Sequence, residues 1–266
     1  MKDNKKHKKA EYGILITGLI ILLAATFVTA LCAGQYSVSV PEVTKILASR
    51  FVNVTKTWSN TAEGVVFTLR LPRMIGAVLV GSALSLSGAA YQGVFKNPLV
   101  APDLLGVSSG ACVGASVAIL LHLNSFGVQA MAFVAGILAV GLTLFIPRLI
   151  KNTNMTMLVL SGIIVKGIMD SVMGIIKYVA DPETELQSIT YWQLGSLTKV
   201  LPRDLFTVGP VIIAASVIIF LLRWRINILS LGDREAKTLG VSVTVVRNFI
   251  IICATLLTAS AVCISG

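Results

Sequence analysis

The stretch that most constrains this chain lies between Arg73 and Lys96, where no residue carries a charge. A helix of this length can cross the hydrocarbon core of a bilayer. Small residues recur along it at every fourth position: Ala77, Gly81, Ser85, Ala89 and Gly93. A second set with similar spacing follows a proline-containing break: Gly106, Gly110, Gly114 and Ala118. Because small side chains let helix backbones approach closely in lipid, the sequence predicts two tightly packed membrane spans.

The composition supports lipid as the solvent of this chain. Charged residues make up 13% of it and hydrophobic residues 55%, whereas soluble domains carry about 25% charged residues. All four cysteines lie inside apolar runs, which favours buried thiols over disulfides or a metal site. The sequence contains no phosphate-binding loop, metal cluster or catalytic constellation, and so predicts neither a cofactor nor a metal. The net charge of +10 is placed at span ends, which argues against a nucleic-acid partner.

The charge-free runs predict an all-α, polytopic transmembrane helical bundle with about seven spans. The run 104–147 is too long for one span, since about 20 residues suffice, and Asn124-Ser125-Phe126-Gly127 predicts a hinge within it. Residues 1–11 read as a basic head, residues 34–68 as a loop with one amphipathic piece, and residues 12–266 as a single transmembrane domain. The predicted spans lie near residues 12–33, 72–95, 106–123, 126–147, 154–179, 205–222 and 248–266.

The basic residues predict the orientation of the bundle. If the N-terminal head is cytoplasmic, the inner segments hold thirteen basic and five acidic residues, and the outer segments hold eight basic and six acidic residues. Lysine and arginine accumulate on the cytoplasmic side of membrane proteins. We therefore expect a cytoplasmic N-terminus in a cell membrane.

The core stretch also resembles the FecCD family of binding-protein-dependent permeases, which import iron-siderophores, haem and cobalamin. The similar residues are Leu69 to Arg73, Gly81, Gly88, Gln92, Asn97-Pro98-Leu99, Pro102 and Leu105 to Gly110. Looser similarity continues through Ser161-Gly162, Trp192, Gly195 to Leu197 and Leu231 to Val243. Because the family has ten spans and about seven are present, we expect a fragment or a truncated gene product.

The resemblance implies the permease subunit of an ABC importer, carrying an iron complex (siderophore or haem) or cobalamin. It implies a homodimer or paired permease, cytoplasmic ABC ATPase subunits and an extracytoplasmic substrate-binding protein. ATP hydrolysis would then belong to the separate ATPase subunit, and the chain itself would be a transporter subunit rather than an enzyme.

A glycine-bounded charged segment on the predicted inner side, residues 229–243, reads as a short helix. Acidic residues in its first turn and a lysine in its last turn are favourable to the helix dipole. Gly240 is typical of the position that follows a helix end. A simple connecting loop is the alternative. In the family this segment is the coupling helix that sits in a cleft of the ATPase, which implies contacts from Gly232, Asp233, Arg234, Glu235, Ala236, Leu239 and Gly240.

Two arginines and a proline break carry further implied roles. Arg70 and Arg73 would bind acidic residues of the binding protein at the outer end of the second predicted span. The alternative is that their side chains only reach toward the membrane surface, as basic residues at span ends commonly do. Asn97, Leu99 and Thr156 would lie around the cytoplasmic gate. A plain turn would equally explain the break, because proline ends helices.

The fifth predicted span carries charges within the membrane. Lys166 and Asp170 are four residues apart, and Lys177 continues the same face. Intramembrane charges are costly and usually face a bundle interior or a water-filled cavity. The face either lines the translocation path, as the fifth span does in the family, or Lys166 and Asp170 form a self-neutralising structural pair.

A membrane enzyme and a passive channel or scaffold are the two other classes of protein that an apolar helical chain could represent. A membrane enzyme would need a nucleophile with a base, or facing carboxylates, and the Lys166–Asp170 pair supplies neither. A passive channel or scaffold would need no ATPase contact, and the segment Gly232–Gly240 argues against it.

Overall fold

The computed structural model describes residues 2–152 and 154–266, with side chains from residue 11 onward. The part described is built from helices without a β-strand. The helices are α1 (Lys2–Cys32), α2 (Val40–Ala48), α3 (Asn60–Gly64), α4 (Leu71–Phe95), α5 (Val107–Leu120), α6 (Ser125–Leu149), α7 (Met155–Val179), α8 (Glu185–Leu194), α9 (Pro202–Leu221), α10 (Arg223–Leu231), α11 (Asp233–Thr238) and α12 (Val243–Ser265). A π-helical turn, Val65–Arg70, leads into α4.

Six helical segments are long and apolar enough to cross a membrane: Glu11–Cys32, Asn60–Phe95, Ser125–Leu149, Met155–Val179, Pro202–Leu221 and Val243–Ser265. The shorter apolar helix α5 (Val107–Leu120) corresponds to the remaining predicted span. The prediction of an all-α polytopic bundle is therefore confirmed. The predicted hinge is also present, because Asn124 accepts a hydrogen bond from the Gly127 N–H and begins α6. The predicted basic head falls mainly on residues 1–10, outside the described side chains.

Residues 1–75 form a first compact unit. The predicted amphipathic piece is α2, which buries Val43 and Ile46. These side chains join Leu31, Trp58 and Val66 in a small apolar core. Burial of this one face explains why a helix forms in a segment that is otherwise polar.

Residues 76–266 form a second compact unit, in which α5 packs closely on α6. A Cβ atom at Gly110 would lie 2.6 Å from the Cβ of Ala139 and 2.8 Å from the Ala135 carbonyl oxygen. Gly114 lies equally close to the Met131 backbone. Glycine is therefore required at both positions, and the predicted packing role of the second small-residue set is confirmed.

The first small-residue set packs only in part: a Cβ atom at Gly93 would lie 2.5 Å from Cγ2 of Ile226 on α10, but three other members do not pack in this way. Gly81, Ser85 and Ala89 are exposed, and a Cβ atom at Gly81 would meet no atom within 4 Å. The opposite face of α4 is buried instead: Tyr91 is 0% exposed and its hydroxyl lies 3.0 Å from that of Thr255 on α12. Burial of this large aromatic ring, with its hydroxyl partnered, decides which face of α4 turns inward.

Candidate functional site

Helix α11 is held between two glycines in conformations that other residues rarely adopt. Gly232 has φ 150° and Gly240 φ 77°. A side chain at Gly232 would also collide with the carboxylate of Glu235. The sequence prediction of a short helix bounded by glycines is confirmed, whereas α10, which precedes it, was not predicted.

The two apolar residues of this segment point in opposite directions. Ala236 is 0% exposed and belongs to the main core of the second unit, whereas Leu239 is 60% exposed. Arg234, Glu235 and Gly240 are exposed as well. Ala236 therefore holds α11 against the core of the second unit, and the exposed surface of this segment is built around Leu239.

Asp233, the first residue of α11, is bonded to two cations from other helices. Both of its carboxylate oxygens accept from Nη2 of Arg247 on α12, at 2.8 Å. Oδ1 also accepts from Nζ of Lys96, at the end of α4, at 2.9 Å. Partial burial acts to raise the pKa of Asp233, but these hydrogen bonds outweigh it and hold the pKa below its usual value. The stabilisation is present above about pH 4 and is lost as pH falls through the lowered pKa.

The predicted gate residues occupy exposed positions. Asn97 Oδ1 accepts a hydrogen bond from the Leu99 N–H at 3.0 Å, which closes a tight turn, and Leu99 is 89% exposed. Thr156 is exposed in the first turn of α7. Among the residues described, no hydrogen bond joins Thr156 to this turn.

Lys166 is paired with Asp103 rather than with Asp170. Its Nζ lies 2.9 Å from Asp103 Oδ2, while Oδ1 of the same carboxylate accepts from the Ser108 N–H at 2.8 Å. The Asp103 carboxylate thus caps the first turn of α5 and also neutralises the charge of Lys166 on α7. The alternative interpretation of Lys166 and Asp170 as a self-neutralising pair is wrong. The Lys166 ammonium donates instead to the carboxylate of Asp103, 63 residues earlier in the chain.

The remaining charges of α7 lie on its uncovered side. Asp170 is exposed, and no ion pair involves it within the described ranges 11–152 and 154–266. Lys177 donates a hydrogen bond to Gln193 of α8. Small exposed residues, Gly167, Ser171 and Gly174, complete this polar face.

Arg70 is not available to a docking partner. Its side chain is 9% exposed and donates to the carbonyl oxygens of Leu31 at 2.8 Å, Cys32 at 3.2 Å and Tyr36. The first two belong to the last turn of α1, whose carbonyls have no partner within the helix. The prediction that Arg70 receives the binding protein is therefore corrected: the guanidinium caps α1 instead.

Arg73 remains the candidate of the two. It is half-buried, and its Nε is buried without a hydrogen-bond partner among the described residues.

Sequence reasoning missed three residues of these sites. The sequence predicted no role for Lys96, Asp103 or Arg247 beyond their contribution to the charges of the inner segments. The one local signal was for Asp103, since aspartate shortly before a run of small and apolar residues is typical of a helix N-terminus.

Most of this chain matches a known family of transport proteins. The model of the FecCD transport family matches residues 21–266. The molybdate import system permease protein MolB of Haemophilus influenzae is 34% identical over 256 residues, covering 96% of this chain and 75% of MolB. A Helicobacter pylori protein named as an iron chelatin transport system permease is 38% identical over 202 residues, covering 76% of this chain and 61% of that protein.

A solved structure has the same fold. An inward-facing ABC transporter assigned to the metal-chelate type superposes with a TM-score of 0.83 at 32% sequence identity, covering 96% of this chain and 77% of the other.

Proposed function

Because this chain belongs to the FecCD transport family of ABC importer permeases, we propose that it moves an iron complex, as a siderophore or haem, or cobalamin into the cytoplasm. It is a multi-pass protein of the cytoplasmic membrane. The observation that carries the proposal is the family match over residues 21–266, within which α11 presents an exposed Leu239. A small oxyanion is the second candidate cargo, because one relative is named for molybdate.

The proposed assembly contains two permease copies or paired permeases, two ABC ATPase subunits and a substrate-binding protein. With a cytoplasmic N-terminus, residues 229–243 lie on the cytoplasmic side and Leu239 contacts the ATPase. The charged residues Arg234 and Glu235 lie beside it and would set the orientation of docking. Arg73 is the proposed contact of the binding protein on the opposite side.

The translocation path, in this proposal, runs along the polar face of α7, formed by Lys166, Asp170 and Lys177. This face is uncovered in the single chain, and a charge facing hydrocarbon costs about 2.5–3.5 kcal/mol on insertion scales. Water or a second permease copy must therefore cover it. The turn Asn97–Leu99, with Thr156, would form the gate at the cytoplasmic end of the path.

Cysteine labelling tests this path. We expect single cysteines at positions 166, 170 and 177, in a full-length variant whose native cysteines are alanine, to react with a water-soluble thiol reagent during turnover. Thiols react as thiolates, which form in water and not in lipid.

Ile168 and Ile175 provide matched controls, because they are 51% and 66% exposed but lie on the opposite side of α7, which we assign to lipid. Cysteines there should stay unreacted. Protection of all three test positions throughout turnover would contradict the proposed path.

A further inference from the structure

The charge cluster around Asp233 joins three elements at one end of the second unit. Lys96 follows the last residue of α4, Asp233 begins α11, and Arg247 lies in α12. The single carboxylate of Asp233 accepts from both cations. A displacement of α11 must therefore act on α4, on α12 or on both.

The two halves of this cluster are unequal. The Arg247 side chain is 9% exposed and donates to both carboxylate oxygens at 2.8 Å. The Lys96 side chain is 34% exposed and reaches one oxygen at 2.9 Å. The Asp233 side chain is itself 47% exposed, so the two contacts differ in the burial of the cation. Loss of the carboxylate would leave the Arg247 guanidinium buried and uncompensated, which is strongly unfavourable, whereas the Lys96 ammonium can turn to water at little cost. The Lys96 contact is therefore the half that opens first.

The backbone at Lys96 places the contact with Asp233 directly beside the turn Asn97–Leu99. Lys96 has φ 53°, a left-handed conformation that residues other than glycine adopt infrequently. It follows Phe95 at the end of α4 and precedes Asn97, whose side chain closes the exposed turn with Leu99. The ammonium bound to Asp233 is thus one residue away from the proposed gate.

We propose that the Lys96–Asp233 contact is a releasable latch between the coupling helix α11 and the gate turn 97–99, with the Arg247–Asp233 contact as its fixed anchor. This inference rests on the proposed function, because it assigns a regulatory contact to the same coupling segment. ATPase closure moves α11, the latch opens, and the gate turn is released while the anchor keeps α11 on α12. Lys96 is in this sense a positioning residue for transport.

The expected effect follows from the exposure of the latch. An exposed ion pair shifts a two-state equilibrium by at most about fivefold. Loss of the latch should therefore leave the permease folded and change the coupling: the gate turn is no longer held until α11 moves, and more ATP is hydrolysed for each cargo molecule imported.

The test compares Lys96→Gln with Lys96→Arg in the intact transporter. We expect Lys96→Gln to raise the number of ATP molecules hydrolysed per imported cargo by up to about fivefold, with an unchanged melting temperature. Lys96→Arg keeps the positive charge and should restore the wild-type ratio. An unchanged ratio in Lys96→Gln, or the same altered ratio in both variants, would overturn the latch.

Two further variants separate this inference from the proposed function. Arg247→Gln removes the anchor and should lower the melting temperature, and equal stability of the Arg247→Gln and Lys96→Gln proteins would overturn the division into anchor and latch. If Leu239→Asp leaves ATPase binding and transport intact, the coupling role of α11 itself fails. If Leu239→Asp uncouples and Lys96→Gln does not, the latch alone fails.

Discussion

Leu239→Asp should abolish ATP-driven transport while leaving the permease folded and inserted. The side chain is 60% exposed at the end of α11, so the substitution removes no internal packing. At a protein interface the same change places an unpaired charge where an apolar anchor was buried. Losing such an anchor typically costs at least about 2 kcal/mol of binding, or roughly 30-fold in affinity. Co-purification of the ATPase and ATP-dependent uptake measure the effect.

Ala236→Asp should behave differently, although it lies on the same short helix. Ala236 is 0% exposed within the main core, and a buried unpaired charge is strongly unfavourable. We expect loss of folded protein instead of uncoupling.

The matched control is Phe51→Asp, which places the same charge at a residue 90% exposed in the first unit and should leave ATPase binding unchanged. Wild-type ATPase association and transport in Leu239→Asp would refute the role given to α11.

Arg70→Met should sharply destabilise the first unit. The guanidinium donates to three backbone carbonyls and is 9% exposed. Hydrogen bonds to a charged donor contribute about 1.5–3 kcal/mol each, and methionine would remove all three. The Cys32 carbonyl would keep only the 3.3 Å hydrogen bond from the Val38 N–H. We expect a loss of at least about 3 kcal/mol, measured as a lower melting temperature and lower yield in detergent.

Gly34→Ala should reproduce part of this loss by a different route. A Cβ atom at Gly34 would collide with Arg70 Nη2, and φ is +152° at this position, so the methyl group displaces the guanidinium and strains the backbone.

Arg73→Met is the comparison variant: it should keep the stability and lower the affinity for the binding protein. Equal stability of the Arg70→Met and Arg73→Met proteins would contradict the capping role of Arg70.

The spans were predictable because lipid imposes a strong and local rule. A helix that crosses hydrocarbon must be long and predominantly apolar, so the predicted spans 72–95 and 154–179 match α4 and α7 almost to the residue. The predicted span 12–33 matches the apolar part of α1, Glu11–Cys32. The glycines at both ends of α11 were equally local signals.

The tertiary partners were not predictable in the same way. The spacing of Lys166 and Asp170 allowed a pair on one helix, but Lys166 pairs with Asp103, 63 residues away, whose carboxylate is held at the start of α5 by the Ser108 N–H. The spacing of small residues in α4 predicted close packing of that face, whereas the opposite face, with Tyr91, meets α12. The apolar residues Ala236 and Leu239 looked alike in sequence, and only packing distinguishes the buried one from the exposed one.

ATP-dependent uptake into proteoliposomes tests the central claim most directly. The full-length permease is reconstituted with its ATPase, and the binding protein is added outside with a ferric siderophore, haem, cobalamin or molybdate. We predict accumulation of one of the first three, only when ATP is enclosed and the binding protein is present. Accumulation of molybdate alone would retain the importer and overturn the proposed cargo. Accumulation without ATP, or of none of the four compounds, would contradict the assignment of this chain as the permease of an iron-complex or cobalamin importer.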